Sequence, residues 1–241
     1  MSSKVVAIIP ARGGSKGLPR KHLLNLGNKP LIAWTVEDAK NCPLVERVVV
    51  STDCEHIREA SIKYGADVPF LRPPVLAEDM SPAEDVLIHA LNWFITAEKV
   101  TYDIVLYLQA TDPFRNSTII NDCVKALIAD ETLDTVFAAY PEHKNYWKKV
   151  DGRYVRLDER GHTPRQIKEH VYREDTGVAC ATRTAVIMSG KRIGENVKII
   201  PHHTLGSFVD IHTELDLFIA NTIWERFLSE EKYSYKEMQN V

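Results

Sequence analysis

With 241 residues, the chain has room for one domain with a sizeable core and at most a small appended lobe. Apolar residues make up 44% and charged residues 26%, an ordinary globular balance. The formal net charge of −3 excludes a global field that would draw nucleic acid or an anionic membrane, so an anionic ligand must be held by local cations.

In chain order, Val5–Ile9 is a β-branched run that predicts a buried strand; it runs into Pro10 and a glycine-rich turn and is too short for a signal-peptide core. Leu31–Lys40, following Pro30, predicts a helix, Arg47–Thr52 a second strand and about Glu55–Tyr64 a second helix. Val86, Leu87, Ala90, Leu91 and Phe94 recur at helical spacing, so Pro82–Glu98 predicts an amphipathic helix. Ile104–Leu108 predicts another buried strand, followed by a helix over about Thr118–Asp130 and a strand near Thr135–Ala139. This alternation implies right-handed crossovers and an α/β fold, a mostly parallel twisted sheet flanked by helices. Such sheets bind ligands at the carboxyl ends of their strands, so the turns after Ile9, Thr52 and Leu108 should share one functional rim.

From about 140 to 177 the texture changes. Asp151-Gly152 between the short extended runs of Lys148–Val155 signals a hairpin, and Leu157–Asp175 is highly charged and poor in core residues. A polar excursion of this length predicts a functional or interface arm. Regular pattern returns at Val178–Ala181, Val197–Ile200 and Phe208–Ile211, the last predicting a strand before a closing helix over about Thr213–Leu228. No repeat or linker interrupts 1–241, which predicts one domain carrying an inserted arm at about 140–177. No segment approaches the roughly 20 apolar residues that span a bilayer. Cys42, Cys54, Cys123 and Cys180 are scattered, as in reduced thiols. The expectation is a cytoplasmic protein with neither membrane nor nucleic-acid partner.

The densest chemistry lies in Ile8–Lys21, where a buried strand meets a turn with Gly13, Gly14 and Gly17 and the cations Arg12, Lys16, Arg20 and Lys21. Glycines let backbone N–H groups approach phosphate oxygens, and the cations supply the charge that a triphosphate requires. Neither a Walker A loop nor a GxGxxG fingerprint is present. A solvated basic turn is the competing explanation.

Ile9–Lys21 is similar to the signature loop of the acylneuraminate cytidylyltransferases, the CMP-sialic acid synthetases. The resemblance continues through Ser51-Thr52-Asp53, Arg72-Pro73 with Leu76–Asp79, and His89-Ala90-Leu91. It extends to Leu108–Arg115, similar to the family's LQPTSPLR, and Val209–Asp216, similar to IDIDTELD. The blocks fall in the family's order across nearly the whole chain. They imply a Rossmann-like nucleotidyltransferase fold that couples CTP to a nine-carbon acidic 2-keto-3-deoxy sugar of sialic or legionaminic type. They also imply release of pyrophosphate, magnesium or manganese as cofactor, and a homodimer built through the arm.

By the same resemblance, Arg12 and Lys21 hold the CTP phosphates, and Lys21 also neutralises the departing pyrophosphate. The backbone around Ala11, Gly13, Gly14 and Ser15 contacts the nucleotide, and Gln109 and Thr111 contact the acceptor sugar. Arg165 and Arg173 fall near family arginines that bind substrate, and a guanidinium fork suits a sugar carboxylate; a solvated surface role is the alternative for both.

Two departures stand out. The family carries D-x-D for magnesium before the last helix; here Asp210 keeps the first position, but the second is His212. Imidazole is a poor ligand for so hard a cation. Asp112 stands where the common motif has serine, and the related KDO cytidylyltransferases carry a metal-binding Asp in this loop. Asp112 and Asp210 are therefore the expected metal pair, with a helix N-cap or turn role before Pro113 the alternative for Asp112. His89 is expected to pack at the core edge, and His202-His203 lacks a third ligand at recognisable spacing. A KDO-type or other sugar nucleotidyltransferase is the alternative enzyme, and a non-catalytic nucleotide-binding protein the alternative from another class.

Overall fold

The computed structural model describes residues 3–115, 118–157, 164 and 166–228. Val5–Pro10 forms β1, buried through Ile9 on both faces, as a doubly covered parallel strand requires. Asn25–Leu26 (β2) and Lys29–Pro30 (β3) make a tight antiparallel pair that leads into α1 (Leu31–Lys40). There follow β4 (Arg47–Ser51), α2 (Glu55–Lys63) and α3 (Ala83–Trp93), which continues as a wider turn to Glu98. Next come β5 (Ile104–Tyr107), α4 (Ile119–Ala129) and β6 (Thr135–Glu142).

The arm begins with a hairpin, β7 (Trp147–Val150) and β8 (Arg153–Arg156). Asp151 and Gly152 take φ of 47° and 79°, the paired positive values of a tight hairpin turn. β9 (Val171–Glu174) then lies antiparallel along the outer end of β6. The chain closes with β10 (Cys180–Arg183), α5 (Thr184–Met188), β11 (Val197–Pro201) and α6 (Glu214–Ile223).

Among the described residues the main sheet runs β11-β6-β10-β5-β1-β4, with β9 also on β6. The expected parallel pairing holds for β1 with β4 and β5 and for β6 with β11. β10 runs the opposite way between β5 and β6. Alternation along β1 divides the core: Val5, Ala7 and Ile9 pack with Ile32, Val36, Val124 and Leu127, whereas Val6 and Ile8 face Leu87, Leu91, Phe94 and Ile187. A third cluster joins Leu18, Leu26, Leu31, Phe114, Ile211 and Ile223, fastening α6 beneath the loop after β1.

The predicted strand at Phe208–Ile211 is absent. Val209 and Ile211 are buried while Phe208 and Asp210 are exposed, so the period of a strand is present without its ladder. Instead Val209 N–H bonds back to Gly206 O at 2.8 Å and Ile211 N–H reaches Thr111 O at 2.9 Å. The helix that follows starts where expected. The Thr213 hydroxyl accepts from Asp216 N–H, and the Asp216 carboxylate accepts from Thr213 N–H at 2.7 Å, a reciprocal cap. Asp112 does not cap α4, which begins at Ile119 behind Thr118; it sits in the turn that leaves β5.

Candidate functional site: a cation-lined cavity on the sheet rim

The loop after β1 is held down at its start. Ala11 is fully buried and its N–H bonds to Ser51 O at 2.9 Å. Gly13 N–H donates to Asp53 Oδ1 at 2.8 Å, and a Cβ at Gly13 would lie 2.9 Å from Cys54 Cβ, so this close approach needs glycine. Further along, a Cβ at Gly17 would lie 2.7 Å from His212 O, and Lys21 Nζ donates to Ile211 O at 3.2 Å. The loop is therefore clamped between the sheet and the segment that leads into α6.

Between these walls lies a cavity of about 440 Å³. Arg12, Ser15, Lys21, Gln109 and Thr111 line it, together with Lys16, His22, Arg72, Asp79 and Tyr107. Arg72 is buried, donating to Ser51 Oγ at 3.2 Å, to Ser51 O and to Leu76 O at 3.3 Å. Burial lowers its pKa to about 10, still cationic at neutral pH. Burial also pulls Lys21 down, against the attraction of Asp210. His22, buried beside Lys21, Arg72 and Arg12, is held down to about 3 and stays neutral. Gln109 Nε2 donates to the Tyr107 hydroxyl at 2.5 Å, and burial raises that phenol to about 12. The surface is suited to a polyanion, with a neutral imidazole and amide beside it.

The other expected residues do not all line this cavity. Gly14 borders a shallower adjoining recess with Ser15 and Lys16. Asp112 and Asp210 are not among its lining residues, but both lie within the electrostatic reach of Lys21. Burial first, then the charge of Asp210, raises Asp112 to about 7. A Cβ at Gly177 would lie 2.1 Å from Asp112 Oδ2 and 2.6 Å from Gln109 Oε1, so the chain entering β10 passes directly against both side chains. The Asp210 carboxylate accepts from His212 Nε2–H across 2.9 Å. Arg173 lies on β9, paired with Asp175 at 3.1 Å and Glu142 at 3.7 Å. It lines a second cavity of about 720 Å³ with Tyr140, His203 and Phe208. Arg165 lies outside the described residues.

Three contributors had no separate signal in the sequence. Asp175, raised by burial, adds a further carboxylate beside Asp112 and Arg173. Asp79 bonds Arg12 at 2.7 Å and also Lys16. Arg115, almost wholly buried, donates to Val178 O at 2.7 Å, Thr35 Oγ1 at 2.9 Å, Gly177 O at 3.0 Å and Gln109 O. The histidines behave as structural groups: His89 meets Phe70 edge-on at 4.8 Å, His202 is 2% exposed with both ring nitrogens unpartnered, and His203 stacks on Tyr140.

Among the described residues, no three His, Cys, Asp or Glu side chains converge to hold a metal by themselves. Asp112 and Asp210 nonetheless offer hard oxygens in a site where one carboxylate raises the pKa of the other, a field that a divalent cation would relieve. Two carboxylates completed by substrate phosphate and water are a common magnesium donor set. No helix among the described residues is long and apolar enough to cross a membrane.

A cation-lined cavity beyond the carboxyl ends of β1 and β5 lies where an open α/β sheet binds its ligand, and its charge suits a nucleotide's phosphates. The family model for cytidylyltransferases matches residues 6–239, and the chain belongs to that family. It is 32% identical over 227 residues to the CMP-N,N'-diacetyllegionaminic acid synthase of Legionella pneumophila, covering 92% of this chain and 97% of that one. It is 34% identical over 166 residues to the pseudaminic acid cytidylyltransferase of Campylobacter jejuni, covering 67% of this chain and 71% of that one. Its fold resembles that of a CMP:2-keto-3-deoxy-manno-octonic acid synthetase complexed with CTP, with a TM-score of 0.70 at 18% identity over 94% of this chain and 100% of that one.

Proposed function

We propose that this cytidylyltransferase couples CTP to the anomeric hydroxyl of a nine-carbon acidic 2-keto-3-deoxy sugar, giving the CMP-sugar and pyrophosphate. The observation that carries this function is the convergence of Arg12, Lys21, Gln109 and Thr111 on one cavity at the strand ends. The named activities of the Legionella and Campylobacter relatives, both on acidic sugars of this class, support the choice of acceptor. In-line transfer of this kind needs positioning and charge neutralisation rather than a covalent intermediate.

Arg12 and Lys21 hold the triphosphate, and Lys21 follows the charge onto the leaving pyrophosphate. Gln109 and Thr111 contact the acceptor, and Arg173, with Arg165, is assigned to its carboxylate. Asp112 and Asp210 hold magnesium or manganese, with His212 orienting Asp210 through the 2.9 Å hydrogen bond. When bound, the ion supplies charge neutralisation at the phosphates and lowers the pKa of the attacking hydroxyl. The protein acts in the cytoplasm as a homodimer through the arm, where Trp147, Tyr154, Val155 and Tyr172 leave large side chains exposed.

Purified protein is to be given CTP and magnesium with pseudaminic, legionaminic, N-acetylneuraminic or 3-deoxy-manno-octulosonic acid, and pyrophosphate measured. Release with at least one nine-carbon acid and little with the eight-carbon acid is expected. Release with the eight-carbon acid alone would make it a KDO-type enzyme. Binding of CTP without release with any acceptor would make it a nucleotide-binding protein.

A further inference from the structure

Two loop cations that the proposed triphosphate would need are already occupied. Arg12 Nη2 meets Asp79 Oδ1 at 2.7 Å, and Lys16 Nζ meets the other oxygen of the same carboxylate. Arg12 Nη1 also reaches Ala77 O at 3.5 Å. The segment Ala77–Met80 thereby leans onto Gly14–Lys16, the two bordering a shallow recess of their own. Its root is fixed, because buried Arg72 donates to Leu76 O. Its tip is tethered through these ion pairs, with the Asp79 side chain one-third exposed (33%) and that of Lys16 84% exposed.

We infer that Asp79 is a displaceable counter-ion that competes with polyphosphate for Arg12 and Lys16, holding down the affinity of this site for CTP and pyrophosphate while leaving that for monophosphate nucleotides unchanged. This rests on the nucleotide reading of the cavity. Ion pairs this exposed are weak, so giving them up costs little when a richer anion arrives. A polyphosphate brings several charged oxygens strung over a length that can satisfy Arg12 and Lys16 separately. A monophosphate brings one compact group and cannot replace Asp79 on both. CTP therefore displaces the carboxylate, whereas CMP leaves it in place. Once pyrophosphate has left, Asp79 returns to the same cations and opposes rebinding through the phosphates.

The test is calorimetric titration of the wild-type protein, Asp79→Asn and Asp79→Glu with CTP, pyrophosphate and CMP. Asp79→Asn removes the competing charge at an exposed position, so CTP and pyrophosphate should bind about fivefold tighter while CMP stays within about twofold. Asp79→Glu should restore the wild-type ratio of CTP to CMP affinity. Unchanged or weaker CTP binding in Asp79→Asn overturns the inference, because Asp79 would then be an inert neighbour or a prop for Arg12. Equal tightening of CMP overturns it as well. A wild-type protein that binds no CTP refutes the nucleotide reading itself, and the inference with it.

Discussion

The loop after β1 and the arm from about 140 to 177 are both charged excursions, yet they are held in opposite ways. The loop is tied to the body at Ala11, Gly13, Leu18 and Lys21, by backbone bonds, a buried side chain and a close pass against His212. The arm leans on the body mainly through β9 along β6, and every residue of β7 is exposed. A catalytic loop must be ordered before its ligand arrives, because preorganisation is what makes its charges effective. A hairpin that buries so little by itself is marginal in water. The loop is thus ordered by its own chain, whereas among the described residues the arm's hairpin finds little of that chain to pack on.

The largest effect expected from breaking the loop side of this contrast is that of Lys21→Ala. Losing one preorganised cation at the reacting phosphates should cost on the order of 3 kcal/mol, about a hundredfold in rate. A folded Lys21→Ala protein with near-normal turnover would remove the loop from the chemistry.

Next come the two carboxylates within reach of Lys21. Asp112→Ala and Asp210→Ala should each raise the magnesium concentration for half-maximal activity by about tenfold, while His212→Asp should be tolerated, because it exchanges the orienting hydrogen bond for a second carboxylate that can itself take the metal. Magnesium titrations of Asp112→Ala and His212→Ala together would reverse the assignment if the first behaved as wild type and the second lost its metal dependence.

On the arm side, Trp147→Ala with Tyr154→Ala should weaken self-association by about tenfold or more, since large aromatics dominate interface energetics. Sedimentation velocity gives the answer directly. A wild-type protein that is monomeric at micromolar concentration and fully active would end the dimer proposal.

The last effect is on stability rather than activity, and concerns acid. His202 is held down to about 4 and His22 to about 3, mainly by burial, against 6.5 for the free side chain. The unfolded chain therefore takes up protons below 6.5 that the folded chain refuses, and stability falls as the pH drops from 6.5 toward 4. For His202 alone this amounts to roughly 3 kcal/mol at pH 4. His202→Gln should flatten the acid side of the melting-temperature profile; an unchanged slope would mean that this imidazole finds a proton acceptor as the pH falls.

The parts legible in the sequence were those whose physics is local. The apolar run of β1, the Asp151-Gly152 turn and the start of the closing helix near Thr213 each carry their signal within a few residues, and the glycine-and-cation turn likewise pointed to residues that line the cavity. The misread strand at Phe208–Ile211 is instructive for the same reason. Burial alternates there because Val209 and Ile211 plug the third core cluster, not because a neighbouring strand pairs with them. Asp79, Asp175, Arg115 and Gly177 were illegible as site residues, because each acts on a partner brought near only by the closed fold. The separation of Arg173 into a second cavity was illegible too, since it follows from β9 joining the outer end of β6.

Arg115 makes the site's walls move as one. Its guanidinium bonds Gln109 O on the turn after β5, Gly177 O and Val178 O on the entry to β10, and Thr35 on α1, while Gln109 N–H returns a bond to Gly177 O at 2.8 Å. None of these segments can open to water alone without stranding a buried charge, a far higher barrier than the fraying of an ordinary loop. In exchange terms the Gln109 amide belongs with the strands of the sheet, although its side chain lines the cavity at the rim. Its protection should collapse only when the core itself unfolds, which makes that single amide a gauge of whether the enzyme's chemistry and its global fold are lost together.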